Sequence, residues 1–292
     1  HHLTEKMSTS LRSSRGIKLM KSGHFSDVCI RIDCISFRCH KIILACASEF
    51  FERLFQEDSE EFLLDGTTPE VFQIFLDFIY APNDDQFGNL EPDVLMCLLK
   101  CANMWLAVEI EERCIDILLD LSPDMDPDAL IALFAVSHCV DHKVLMEQSI
   151  GVLQHIWRNE MDCPSTVRME VDCFGEYFKN TSGMLSPRRR FVMVENWIKG
   201  NDLNNRPCSQ KDKINQIIKS INFLEMSLED FYNGPGKSNV LPDSDKFEIM
   251  YKLARSNNEW TVILDERDRD RYYIIVFVKK KSTKFVFYLK LI

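Results

Sequence analysis

His138-Cys139-x-x-His142 places two histidines one helical turn apart, the spacing at which a helix presents two nitrogens to a zinc ion. No third or fourth ligand accompanies them, and Cys139 belongs to another side of the same helix. The pair is therefore read as packed or solvated histidines. Cys34, Cys39 and His40 also fall close together, but the two cysteines sit in a segment that packs by alternation. No metal and no cofactor is expected. For nucleophilic or phosphoryl chemistry the chain has no Gly-rich phosphate loop and no G-x-S-x-G elbow. It also lacks a Ser/His/Asp or Cys/His set in a recognisable local frame. The expectation is a protein that is not an enzyme.

The eleven cysteines, at 29, 34, 39, 46, 97, 101, 114, 139, 163, 173 and 208, are odd in number and contain no C-x-x-C pair. Most lie in apolar helical stretches, which reads as reduced thiols in a cytoplasmic or nuclear protein. The 292 residues are 46% apolar, enough for two or three cores. No apolar run approaches the ~20 residues that span a bilayer, and no signal-peptide core opens the chain. The formal charge of −10 is unevenly placed. Residues 25–121 carry 20 acidic and 6 basic side chains, a surface that repels nucleic-acid phosphates. Residues 246–292 carry 11 basic and 6 acidic ones, which leaves the question open there. Of the two short basic runs, Arg188-Arg189-Arg190 is expected to be a solvated helix face and Lys279-Lys280-Lys281 a hairpin turn.

The elements are most legible from Phe25 to Phe55. Val28, Ile30 and Ile32 alternate with polar residues, as a half-buried strand requires. Asp33-Cys34 offers a reversal, and Ile35, Phe37 and Cys39 resume the alternation. From His40 the period becomes helical through Ile42 to Cys46. Ser48 caps a second helix bearing Phe50, Phe51, Leu54 and Phe55 on one side. An acidic loop, residues 56–61, precedes the short strand Phe62-Leu63-Leu64. Thr68-Pro69 then starts a helix, by a cap followed by proline, that ends at Tyr80. Pro92 opens another with Leu95, Leu98, Leu99 and Ala102 inward, and Val108–Leu121 makes the next.

This order resembles a BTB/POZ domain. The matching residues are Phe25-Ser26-Asp27-Val28, Phe37, His40-Lys41, Ile43-Leu44-Ala45, Ser48, Phe51, Leu54-Phe55, Leu98-Leu99-x-x-Ala102 and Cys114-x-x-x-Leu118. One departure is Cys34, where the family usually has glycine; cysteine accepts positive φ poorly, so a different turn type is expected. The resemblance implies a dimer, with itself or with another BTB protein. Its interface would include Leu11, Ile17 and Met20 on an N-terminal helix, together with Phe25, Asp27 and Lys41, the last two paired by charge. It also implies a cullin-3 contact through Phe55, Ser59, Glu61, Phe62 and Tyr80. Glu61 and Tyr80 match the cullin-binding pattern, whereas Ser59 puts a hydroxyl where an apolar anchor belongs and Phe62 is the substitute at hand.

Beyond Asp126-Pro127 the apolar periodicity is helical. SPRRRFVMVENWIKGN, residues 186–201, resembles the hallmark of a BACK domain, with Arg190-Phe191, Val194 and Trp197-Ile198 as its framework. Asn233 to Ser238 is a linker by composition. Trp260–Leu264, Tyr272–Val278 and Phe285–Leu291 read as strands, without the glycine doublets or repeats of a kelch propeller. The expected fold class is thus α+β. A dimerisation segment (1–24) precedes a BTB/POZ module (25–121), an all-α BACK domain (125–232), a linker (233–245) and a β-rich C-terminal segment (246–292). The function these imply is an adaptor that holds an unknown client through its C-terminal segment for a cullin-3 ubiquitin ligase. The alternative is a dimerising nuclear or chromatin-associated scaffold, or corepressor contact, with no ligase role. Neither membrane nor nucleic acid is an expected partner.

Overall fold

The computed structural model describes residues 15–83, 87–201 and 207–256 and the backbone of three C-terminal strands. The chain divides into two compact units, His1–Val152 and Leu153–Ile292. Leu11 and residues 280–283 lie outside the described residues, so the expected roles of Leu11 and of most of the Lys279-Lys280-Lys281 turn are not placed.

The first unit begins with helix α1 (residues 15–22) and the hairpin β1 (Val28–Ile32) and β2 (Ile35–Cys39). Ile32 faces Ile35 across a two-residue turn. The positive φ of that turn, +51°, falls on Asp33 rather than Cys34; a short polar side chain tolerates it where cysteine would not. α2 (Lys41–Ala47) and α3 (Glu49–Leu54) cross over to β3 (Glu61–Leu63), which lies parallel to β1 and completes a sheet ordered β2-β1-β3. A parallel neighbour needs such a crossover, and these two short helices supply it.

α4 (Pro69–Tyr80), α5 (Pro92–Met104), α6 (Val108–Leu121), α7 (Pro127–Cys139) and α8 (Lys143–Ile156) follow. Thr68 and Asp126 cap their helices through side-chain oxygens, each followed by proline, as the sequence predicts. His142 Nδ1 accepts the N–H of Leu145 at 3.2 Å at the start of α8, which gives that histidine a capping role. Among the described residues no group of three metal-ligating side chains forms.

The core of this unit is aromatic. Trp105 lies 4.9 Å from Phe75, 5.7 Å from Phe72 and 5.8 Å from Phe51, all fully buried. Ser48 ties that core to the crossover. Its hydroxyl accepts the Phe51 N–H that opens α3 and donates to the Trp105 carbonyl at 2.5 Å. One small side chain thus satisfies a helix end and a buried carbonyl together.

The second unit is helical up to Ser256: α9 (Pro164–Val167), α10 (Val171–Asn180), α11 (Pro187–Gly200), α12 (Cys208–Lys219), α13 (Leu228–Asn233) and α14 (Asp243–Ser256). Phe174 stacks on Trp197 at 5.1 Å, and the Trp197 indole donates to the Met169 carbonyl. Arg190 is only 8% exposed. Its guanidinium lies 4.1 Å over the Phe178 ring and donates to Thr181 Oγ1 and the Phe178 carbonyl. The arginine run is therefore no uniform solvated face, because its third member is an internal staple. Burial lowers the pKa of Arg190, yet three neutral partners hold its charge in place.

The stretch with linker composition is packed. Pro235, Gly236, Ser238 and Leu241 are buried, and α14 occupies the start of the segment read as β-rich. β4 (Trp260–Asp265), β5 (Tyr272–Lys279) and β6 (Lys284–Lys290) pair as an antiparallel meander.

Candidate protein-interaction surface

The start of α2 is held by side chains reaching in from other elements. Asp27 Oδ1 accepts the Lys41 N–H at 2.7 Å, doing from just before β1 what a capping residue would do locally. His40 is buried and uses both ring nitrogens. Nε2 lies 2.8 Å from the His24 carbonyl, which can only accept, so Nε2 carries the proton. Nδ1 then accepts the Tyr80 hydroxyl at 2.6 Å, and the same oxygen accepts the His40 backbone N–H at 3.0 Å. Burial pushes the Tyr80 phenol well above its ordinary pKa, with a smaller contribution from the nearby Cys39. The structure therefore places Tyr80 as an internal pin, 6% exposed, between the end of α4, the start of α2 and the entry to β1.

Asp27 and Lys41 are joined, but through the lysine backbone. The Lys41 ammonium goes instead to the Ser59 carbonyl at 2.9 Å and lies 5.9 Å over the Phe55 ring. Lys41 thereby fastens the loop at 56–61 onto α2. Within that loop the Ser59 hydroxyl donates to the Glu61 carbonyl and accepts the Glu61 N–H, closing a local turn. Glu61 pairs with Arg31 across the outer face of the sheet.

β3 then alternates. Phe62 points inward, 7% exposed and 5.5 Å from Phe55, while Leu63 points out and is 64% exposed. The apolar side chain this edge offers a partner is Leu63, and Phe62 belongs to the core. Alternation along Phe62-Leu63-Leu64 sets Leu63 on the opposite face from the other two, and pairing with β1 decides which face is inward.

α1 lies against its own chain. Gly16 sits so close to the Tyr80 carbonyl that a Cβ there would come within 1.8 Å of the oxygen, and the Gln73 amide donates to Met20 Sδ at 3.7 Å. Ile17 and Met20 are half-buried. Phe25, just past the helix, adopts a positive φ of 64° and leaves 88% of its area in solvent. Ile42 on α2 is 69% exposed and Val108 at the start of α6 is 59% exposed. Ile42, Cys46, Pro82, Leu106 and Val108 line an open groove of about 640 Å³ edged by Glu49, Glu52 and Glu109. The sequence signal for Ile42 lay in its helical position: only Leu44 of that run is fully buried, so the run has an outer face. Large apolar side chains left outside on one unit, beside charged groups, are what a protein-binding surface requires.

Residues 17–122 match the family model for the BTB/POZ domain, and that segment is a BTB/POZ domain. Among curated proteins, the chain is similar to "BTB/POZ domain-containing protein 6" of Xenopus tropicalis, 22% identical over 234 residues, covering 75% of this chain and 41% of that protein. The chain thus spans about two fifths of the length of that relative. Among solved structures it is similar to the BTB domain of zebrafish PATZ1, with 28% identity, 39% of this chain, 92% of that one and a TM-score of 0.34. It is also similar to the BTB domain of human gigaxonin, with 19% identity, 38% and 90% coverage and a TM-score of 0.31.

Proposed function

We propose that this BTB/POZ-bearing chain is a dimeric adaptor. In this reading residues 125–232 serve as a BACK domain, the C-terminal segment holds a client, and the BTB/POZ domain presents that client to a cullin-3 ubiquitin ligase. BTB/POZ domains generally mediate protein–protein contacts, and dimerisation is typical of them. The observation that carries the dimer is the set of large apolar side chains left in solvent at Phe25, Ile42 and Val108. Burying each would contribute roughly 1.5–3 kcal/mol. The curated similarity extends over 234 residues, well past the BTB/POZ segment, and helices fill the region after it; both favour the BACK reading.

For the cullin contact, Glu61 and the exposed Leu63 are the side chains the loop and β3 offer, with Phe55 and Phe62 as the support beneath them. Tyr80 contributes by holding the start of α2. The test is co-purification with the N-terminal region of cullin-3. Complex formation that weakens roughly tenfold or more in Leu63→Asp supports the ligase reading. The second reading, a dimerising scaffold or corepressor contact in the nucleus without ligase activity, draws on Ser59. Its hydroxyl closes its own turn where an apolar anchor would be needed. A stable dimer that captures no cullin would select it.

A further inference from the structure

The second unit carries a feature that the adaptor surface does not use. α11, α12 and the turn at 235–240 enclose an open cavity of about 1060 Å³. Its floor is apolar: Ile214 is 2% exposed and Ile218 6% exposed, with Ile198 and Val240 beside them. Its rim is cationic and amide-rich, with Lys199, Lys211 and Lys237 together with Asn201, Asn215 and Asn239.

Among the described residues the one carboxylate in the wall, Glu195, is already engaged. The Ser238 hydroxyl donates to its Oε1 at 2.6 Å and the Lys199 ammonium lies 2.9 Å from its Oε2. Burial alone would raise its pKa, but these two bonds outweigh burial and hold the carboxylate below its ordinary value. At the α11 C-terminus, where carbonyls repel an anion, Asn201 engages one of them and ties it to the end of α9. Asn201 Nδ2 donates to the Trp197 carbonyl at 2.9 Å and the Val167 carbonyl at 2.8 Å. Lys237 rests 5.1 Å over the Tyr232 ring and bonds Asn233 one turn away, so it leans over the rim on an aromatic support.

In a chain of net charge −10, three lysines, one of them paired with Glu195, leave this rim net positive among the described residues over an isoleucine floor, which favours a ligand of the opposite sign. We propose that this cavity binds an acidic peptide segment of a partner protein in which apolar residues alternate with carboxylates. The apolar residues enter the Ile198–Ile214–Ile218 floor. The carboxylates meet Lys199, Lys211 and Lys237, and the Asn215 and Asn239 amides bond the peptide backbone. The assignment stands on this cavity and not on dimerisation: it would give the proposed adaptor a client site, and it holds equally for a monomer.

The test uses fluorescence anisotropy on the full chain with a labelled peptide of alternating Glu and Leu, a Lys/Leu counterpart, and inorganic phosphate as competitor. Saturable binding of the Glu/Leu peptide alone is expected, weakened about tenfold or more by raising the salt. Combined Lys199→Glu, Lys211→Glu and Lys237→Glu should abolish it, while Lys252→Glu, on α14 and paired with Glu248, leaves it intact. If the triple variant fails to fold, Lys237→Met and Asn239→Asp, both at exposed positions, are each expected to weaken binding severalfold. Equal affinity for both peptides, or binding unmoved by the substitutions, overturns the proposal. So does complete displacement by millimolar phosphate, which would mean an anion site without peptide selectivity.

Discussion

The two units differ in how much large apolar surface they leave in water. The first packs Phe51, Phe72, Phe75 and Trp105 inside yet leaves Phe25, Ile42, Leu63 and Val108 outside, each more than half exposed. The helical part of the second leaves Ile156 and Leu224 just over half exposed, buries Trp197, Phe174, Phe178, Phe191 and Phe231, and holds an arginine inside that fastens two helices. Its cavity is edged by lysines and asparagines. A surface that keeps apolar groups in water is shaped by what will cover it, whereas a closed core with a charged rim suits a ligand that comes and goes. On the two proposals made above, the first unit would hold a lasting partner and the second an exchangeable one.

The largest effects that sharpen this contrast are in the cores. Phe75→Ala in the first unit and Trp197→Ala in the second should each cost about 3–5 kcal/mol, read by urea unfolding. Similar losses in both would show that the outward apolar residues of the first unit are not compensation for a weak interior. Smaller is Tyr80→Phe, which takes the hydroxyl from the buried His40 N–H and Nδ1 and is expected to cost about 1–3 kcal/mol. Ser48→Ala should cost about 1–2 kcal/mol through the lost cap on α3 and the loss of one of two donors to the Trp105 carbonyl, the Phe50 N–H remaining at 3.3 Å. Gly16→Ala forces a Cβ into the Tyr80 carbonyl and should free α1. Limited proteolysis between residues 15 and 24 reads that with little change in global unfolding. In thiol labelling near pH 8, Cys39 and Cys114 should stay unmodified in the folded chain, because burial raises each to about 12, while the exposed Cys34 and Cys208 react. Rapid labelling of Cys114 would mean that the first core opens easily and the contrast fails.

Local rules made the hairpin, the capped helices and the aromatic interior readable in advance, since alternation, Ser48, Thr68-Pro69 and Asp126-Pro127 act over a few residues. They failed where a distant residue decides. Phe62 looked available because strand phase is set by pairing with β1, which only the fold provides. Arg190 looked solvated because charge argues for water until Phe178 and Thr181 appear around it. Residues 233–245 have a linker's composition, and their packing depends on Glu195 reaching Ser238 from another helix. The BTB/POZ resemblance pairs Asp27 with Lys41 by charge, although the backbone N–H at the start of a helix attracts a carboxylate just as well.

The most direct test is the mass in solution of the chain beside its Phe25→Asp and Ile42→Asp variants, by light scattering at micromolar concentration. The account predicts a particle of twice the 34.1 kDa chain that falls to a single chain in both variants, with their unfolding midpoints unchanged. A wild-type particle of one chain mass, or a dimer indifferent to both substitutions, would contradict it.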